Sequence, residues 1–113
     1  MDQAVILSTA RTPIGKAYRG TFNDTDAPTL ASYAINGSIA KAGIDPSEVE
    51  DVIMGAAVQQ GTQGYNIGRL SAAASGLPSH VPGMSVDRQC ASGLMAIAIG
   101  AKQIACNEMD IVI

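Results

Sequence analysis

No charged residue lies between Arg88 and Lys102, where the chain reads QCASGLMAIAIGA. That run is too short for a membrane span, which needs about 18 apolar residues or more. It is also too apolar for a helix lying on water. Leu94, Met95, Ile97 and Ile99 are interspersed with Ala96, Ala98 and Gly100, so the spacing predicts a helix over 90–107 that is apolar all round and therefore buried. A buried helix must be covered by other elements, and this constrains the rest of the chain.

The covering layer is legible as a sheet. AVILS (4–8), DVIMGAAV (51–58), GMSVD (83–87) and MDIVI (109–113) are short apolar runs rich in β-branched residues, and they read as four strands. Between the first two, a long irregular connection leads to a helix over about 29–41, with Pro28 in its first turn and Gly43 at a left-handed cap. Leu30, Ala34, Ile35, Ile39 and Ala42 fall at helical spacing and predict its core face. Asp45, Pro46 and Glu48 form a capping-box start to a short turn. QQGTQGYNIG is a Gly-rich loop, and RLSAAASG a small-residue helix ended by Gly76 and Pro78. Strands alternating with about three main helices give an α/β fold, a mostly parallel sheet of βαβ units.

At 113 residues and 47% apolar, one domain is expected. Only 15% of residues are charged, against about 25% in typical globular proteins, so the chain either buries itself against other protein or belongs to something larger. The run MDIVI ends the sequence on a strand, which reads as a truncated piece of a longer polypeptide. A net charge of -3 with 7 scattered basic residues argues against a nucleic-acid partner. No membrane segment is expected, and MDQAVILSTA has an early acid and no basic region of a signal peptide. With 2 cysteines there is no disulfide framework, and a cytoplasmic setting fits best.

Cys90 falls at the junction between a strand and the buried helix. Unpaired N–H groups give a helix N-terminus partial positive charge, which stabilises a thiolate and can hydrogen-bond an oxygen that gains charge in acyl transfer. In open α/β sheets this carboxyl edge is where ligands bind. Ala91, Ser92 and Gly93 are small enough for backbone and substrate to approach closely. The bland reading of Cys90 is a small buried hydrophobe. Cys106 lies about 24 Å down the same helix at about 1.5 Å per residue, and is expected to be structural. His80 precedes the GMSVD strand that Cys90 follows, which puts it in a surface loop at the opposite sheet edge. RTPIGK with Arg19 lacks phosphate-loop spacing and reads as a structural loop. Arg69 is expected to make a buried ion pair or loop hydrogen bonds. No metal-ligand cluster is visible.

DRQCASGLMAIAIGAKQI resembles the N-terminal nucleophile motif of the thiolases, the acetyl-CoA acyltransferases and acetyltransferases. VILSTARTPIGKAYRGTF, AGIDPSEVEDVIMGAAVQQGTQGYNIGRLSAAASGLP and VPGMSVDRQC agree in order, so the resemblance covers nearly the whole chain. It implies a thiolase-like N-terminal half, with residues 1–113 a partial N-terminal domain lacking the C-terminal half and the coenzyme A-binding loop region. Cys90 becomes the acyl-carrying catalytic nucleophile, with its backbone N–H half of an oxyanion hole. The implied reaction is reversible thiolytic cleavage or Claisen condensation of 3-ketoacyl-CoA and acetyl-CoA. Acetyl-CoA and acyl-CoA are then substrates, with no bound cofactor.

The sequence departs from the family pattern at Ala91, where many members have Gly, and at Asp87, where many have Asn. Asp87 adds a negative charge near the thiol. In the family the second half supplies an activating histidine, an acid/base cysteine and the other oxyanion donor. Members are dimers or tetramers; Tyr65, Asn66 and Arg69 match a loop near the subunit interface, and the strand before Cys90 is a further candidate. Without the second half, the 113 residues are expected to self-associate and to lack turnover. The competing readings are an inactive truncated scaffold that self-associates or pairs with a complementary half, and a chain whose Cys90 is only a redox- or alkylation-sensitive thiol.

Overall fold

Asp26 opens the first helix: its carboxylate accepts the Thr29 N–H at 2.7 Å, and Pro28 sits in the first turn, where its missing N–H costs nothing. Helix α1 runs Ala27–Ala42 and stops at Gly43, whose φ of 69° is the left-handed cap expected from the sequence. These coordinates come from a computed structural model that describes residues 3–113. The next turn is set by the expected capping box. The Asp45 carboxylate accepts the Ser47 N–H at 2.8 Å, and Glu48 accepts the Asp45 N–H at 2.8 Å. Strand β1 (Ile53–Gly55), a single turn at Gly61–Gln63, helix α2 (Ile67–Ala74), strand β2 (Met84–Val86) and helix α3 (Ser92–Ala105) follow.

Strands β1 and β2 pair in parallel, with Ile53 opposite Met84 and Gly55 opposite Val86. Side chains then alternate between the two faces of the sheet. Val52 joins Ile35, Ile39, Val49, Ala72, Leu77 and Val81 in the core beneath α1 and α2, with Ile111 and Ile113 packed against it. Ile53 and Val112 meet Gly100 of α3 instead. Helix α3 lies close on β1 because small residues meet there. A Cβ on Gly55 would fall 2.5 Å from the Gly93 nitrogen and closer still to the Ser92 carbonyl group.

The four expected strands are reduced to the two of this sheet. MDIVI lies extended on the other edge of β1, with the Ile113 N–H on Asp51 C=O at 3.0 Å and the Ile53 N–H on Ile113 C=O at 2.7 Å. It closes only the isolated bridge Asp51 to Val112. AVILS is not a strand among the described residues. Both edges of β1 are taken, and the segment lies along α1: Ser8 donates to Ser38 C=O at 2.7 Å, and Lys41 to Thr9 C=O at 2.7 Å. Val5, Ile6 and Leu7 are left 63–76% exposed.

Helix α3 is also not buried all round. Its small face, Ser92, Ala96 and Gly100, meets the sheet, while Leu94 and Ile97 stand 72% and 62% exposed. The sequence made every face apolar, but close approach to β1 selects the face with the smallest side chains.

Two outcomes follow from this packing. Gly55→Ala forces a side chain against the α3 backbone and is expected to cost about 3 kcal/mol. Gly93→Ala meets nothing within 4 Å and should be neutral or stabilise by up to about 1 kcal/mol; urea midpoints of the two variants check both. In acid, Asp26 and Asp45 each contribute to the response. The Thr29 backbone N–H holds the Asp26 carboxyl below its ordinary 3.8, and the Ser47 hydroxyl and then its N–H do the same for Asp45. A depressed folded value means that stability is present above 3.8 and is lost as pH falls through the lower folded values. Asn at both positions keeps the caps without the proton, so the double variant should show a shallower acid limb in thermal melts between pH 5 and pH 2.

Candidate functional site

Five residues, 87–91, join the carboxyl end of β2 to α3. With α3 pinned over β1, they must reverse tightly, and their hydrogen bonds show how. The Asp87 carboxylate accepts the Gln89 N–H at 2.9 Å, an Asx-type turn. Ala91 N–H bonds Arg88 C=O at 3.1 Å, and Ser92 N–H bonds Gln89 C=O at 3.1 Å. Gln89 takes φ 52°, a left-handed conformation that a non-Gly residue adopts at a cost of about 1–2 kcal/mol.

The Ser92 side chain closes this turn from inside. Ser92 is 3% exposed; its hydroxyl accepts the Arg88 N–H at 2.8 Å and donates to Gln89 C=O at 2.6 Å. The Arg88 guanidinium reaches forward to the Met95 sulfur at 3.2 Å. Cys90 is left outside, exposed, between Gln89 and the helix. Helix α3 begins at Ala91 without a side-chain cap, so its first N–H groups are not taken up by a capping side chain. Cys90 is thus exposed to solvent one residue ahead of the N-cap of α3.

The other candidates lie elsewhere. His80 is exposed in the turn ahead of β2, at the amino end of the strand whose carboxyl end leads to Cys90. Cys106 is exposed at the C-terminal cap of α3, the other end of that helix. Neither shares a site with Cys90. Arg69 makes loop hydrogen bonds, donating to Val81 C=O at 2.8 Å and Ser79 C=O at 3.4 Å. Asn66, left-handed at φ 62°, caps α2 through Arg69 N–H at 3.2 Å and ties it to Gly83 C=O at 2.8 Å. Among the described residues no group of His, Cys, Asp and Glu is placed to hold a metal ion, and no helix is long and apolar enough to cross a membrane.

Sequence reasoning located Cys90 but missed what shapes its surroundings. Asp87, expected to place a negative charge near the thiol, also braces the turn by accepting the Gln89 N–H, which the sequence reading did not foresee. Ser92 was counted only as a small residue. A serine at the start of an apolar helix with no other polar neighbour on its face is the signal that could have singled it out. The close backbone approach expected at the small residues is seen where Gly55 meets the backbone of Ser92 and Gly93, while a Cβ on Gly93 itself would face open space.

The family model "Thiolase, N-terminal domain" matches residues 4–113. The 3-ketoacyl-CoA thiolase of Bacillus subtilis is 37% identical over 110 residues, covering 97% of this chain and 28% of that protein. The acetyl-CoA acetyltransferase of Cupriavidus necator is 37% identical over 113 residues, 100% of this chain and 28% of its own length. A probable acetyl-CoA acyltransferase of Staphylococcus aureus reaches 39% over the same span, again 28% of its length. The chain thus spans 28% of the length of these curated relatives.

Proposed function

Because the chain belongs to the thiolase N-terminal domain family, we propose that Cys90 is the acyl-carrying nucleophile of an acetyl-CoA C-acyltransferase. The observation that carries this reading is the exposed Cys90 thiol between the carboxyl end of β2 and the uncapped start of α3. The Cys90 thiolate attacks the thioester carbonyl of acetyl-CoA or the 3-keto carbonyl of a 3-ketoacyl-CoA. As the sulfur–carbon bond forms, the carbonyl π electrons move to oxygen, and the Cys90 backbone N–H, with a second donor from outside these 113 residues, stabilises the oxyanion. With acetyl-CoA, collapse expels coenzyme A, which takes up the proton that Cys90 gave away, and leaves the acetyl group on sulfur. With a 3-ketoacyl-CoA, collapse instead breaks the C2–C3 bond, leaves the shortened acyl group on sulfur and releases acetyl-CoA, whose enolate carbon takes up a proton.

Thioester exchange of this kind uses coenzyme A esters as substrates and needs no resident cofactor. The base that activates Cys90, and the acid/base group for the carbon–carbon step, are assigned to polypeptide outside these 113 residues. The separation of His80 and Cys106 from Cys90 supports that assignment. The exposed Leu94 and Ile97 of α3, and Val5, Ile6 and Leu7, are the apolar surface such polypeptide or a second subunit would cover. A cytoplasmic dimer or tetramer is the assembly we assign to the whole enzyme.

The same separation favours a second statement: this chain alone is a scaffold that accepts an acyl group without turning over. Incubated with acetyl-CoA near pH 8, the chain should gain a single acetyl group by intact mass, and Cys90→Ser should gain none. It should show no repeated cleavage of acetoacetyl-CoA. Acetylation that persists in Cys90→Ser would contradict the assignment of Cys90. A folded chain that takes up no acetyl group would mean that the outside base is indispensable already for the first step, and would contradict the scaffold statement. Multiple turnovers would contradict the assignment of the base to outside residues.

A further inference from the structure

Ser92 is a buried hydroxyl whose donor and acceptor are both spent on one turn. It accepts from Arg88 N–H at 2.8 Å and donates to Gln89 C=O at 2.6 Å. Those two groups flank the Gln89 backbone, which is held at φ 52°. The Asp87 carboxylate fixes the Gln89 N–H at 2.9 Å from the solvent side. The left-handed residue is therefore gripped at its N–H and at its C=O, and Cys90 is the next residue in the chain. Released, Gln89 would relax toward negative φ, and the Cys90 Cα would swing away from the start of α3.

We propose that Ser92 is a positioning residue: its hydroxyl holds Gln89 in the left-handed conformation and thereby sets the Cys90 thiol at the N-terminus of α3. Its meaning for catalysis rests on the reading of Cys90 as nucleophile, but its effect on the thiol does not. Ser92 touches no reacting atom in this account and acts only through the turn. The small size that permits the helix to sit on Gly55 is a separate property, carried by the backbone of residues 92 and 93. A glycine at position 89 takes positive φ without strain, so it should make the Ser92 hydroxyl dispensable. A residue that mattered only for packing would gain nothing from a change at position 89.

The test is the rate of iodoacetamide alkylation of Cys90 across pH 6 to 9, read by peptide mass against Cys106 in the same molecule, both thiols being exposed. Ser92→Ala should lower the ratio of Cys90 to Cys106 rates about threefold near neutral pH, the scale of a lost helix-terminus interaction. Gln89→Gly with Ser92→Ala should restore the ratio. An unchanged ratio in Ser92→Ala overturns the proposal, as does a lowered ratio that Gln89→Gly fails to restore. If Ser92→Ala does not fold, circular dichroism of the double variant decides. A folded double variant with the wild-type ratio supports the proposal, and one that is unfolded or keeps a lowered ratio overturns it. Since no coenzyme A ester is used, failure of acetyl transfer at Cys90 is a separate result.

Discussion

The contact between Gly55 in β1 and the backbone of Ser92 and Gly93 governs the carboxyl edge of the sheet. No side chain stands between strand and helix there; a Cβ on Gly55 would lie 2.5 Å from the Gly93 nitrogen. Helix α3 therefore starts directly above the end of β1, beside the end of β2. The chain leaving β2 has only residues 87–91 in which to reverse. The left-handed Gln89, the Asp87 brace and the Ser92 hydroxyl are the solution to that geometric demand. An exposed Cys90 at a helix N-terminus is its by-product, and the chemistry assigned to the chain depends on it.

The same contact decides which face of α3 is covered. A helix drawn this close must present small side chains, so Ser92, Ala96 and Gly100 go inward and Leu94 and Ile97 stay outside. On the other side of the sheet, Val52, Ile111 and Ile113 pack beneath α1 and α2. Residues of alternating parity thus serve two different layers, and the segment 109–113 keeps to that alternation through Val112, which meets Gly100.

Local signals in the sequence translated well into structure. The Asp45 to Glu48 capping box, the Gly43 cap, Pro28 in the first turn and Ile35 and Ile39 in the core are where the residues predicted them. Each is decided by residues within a turn or two of one another. AVILS failed as a strand because β-propensity alone does not supply a pairing partner, and the segment is bonded to α1 through Ser8 and Lys41 instead. The burial of α3 was overstated because an all-apolar helix carries no mark of which face will be chosen. Cys90 was legible from its position at a strand-to-helix junction. The role of Ser92 was not, since it depends on the conformation of a residue, Gln89, with no special preference for it.

The central claim is that the fold, not the composition around it, sets Cys90 apart from Cys106. Both thiols are exposed, at opposite ends of α3, so the ratio of their alkylation rates in the folded chain can be compared with that in urea. A ratio at least about threefold higher in the folded chain is predicted, from the helix terminus beside one thiol and its opposite beside the other. Equal ratios in the folded and unfolded chain would mean that the turn confers nothing on Cys90, and would contradict the account.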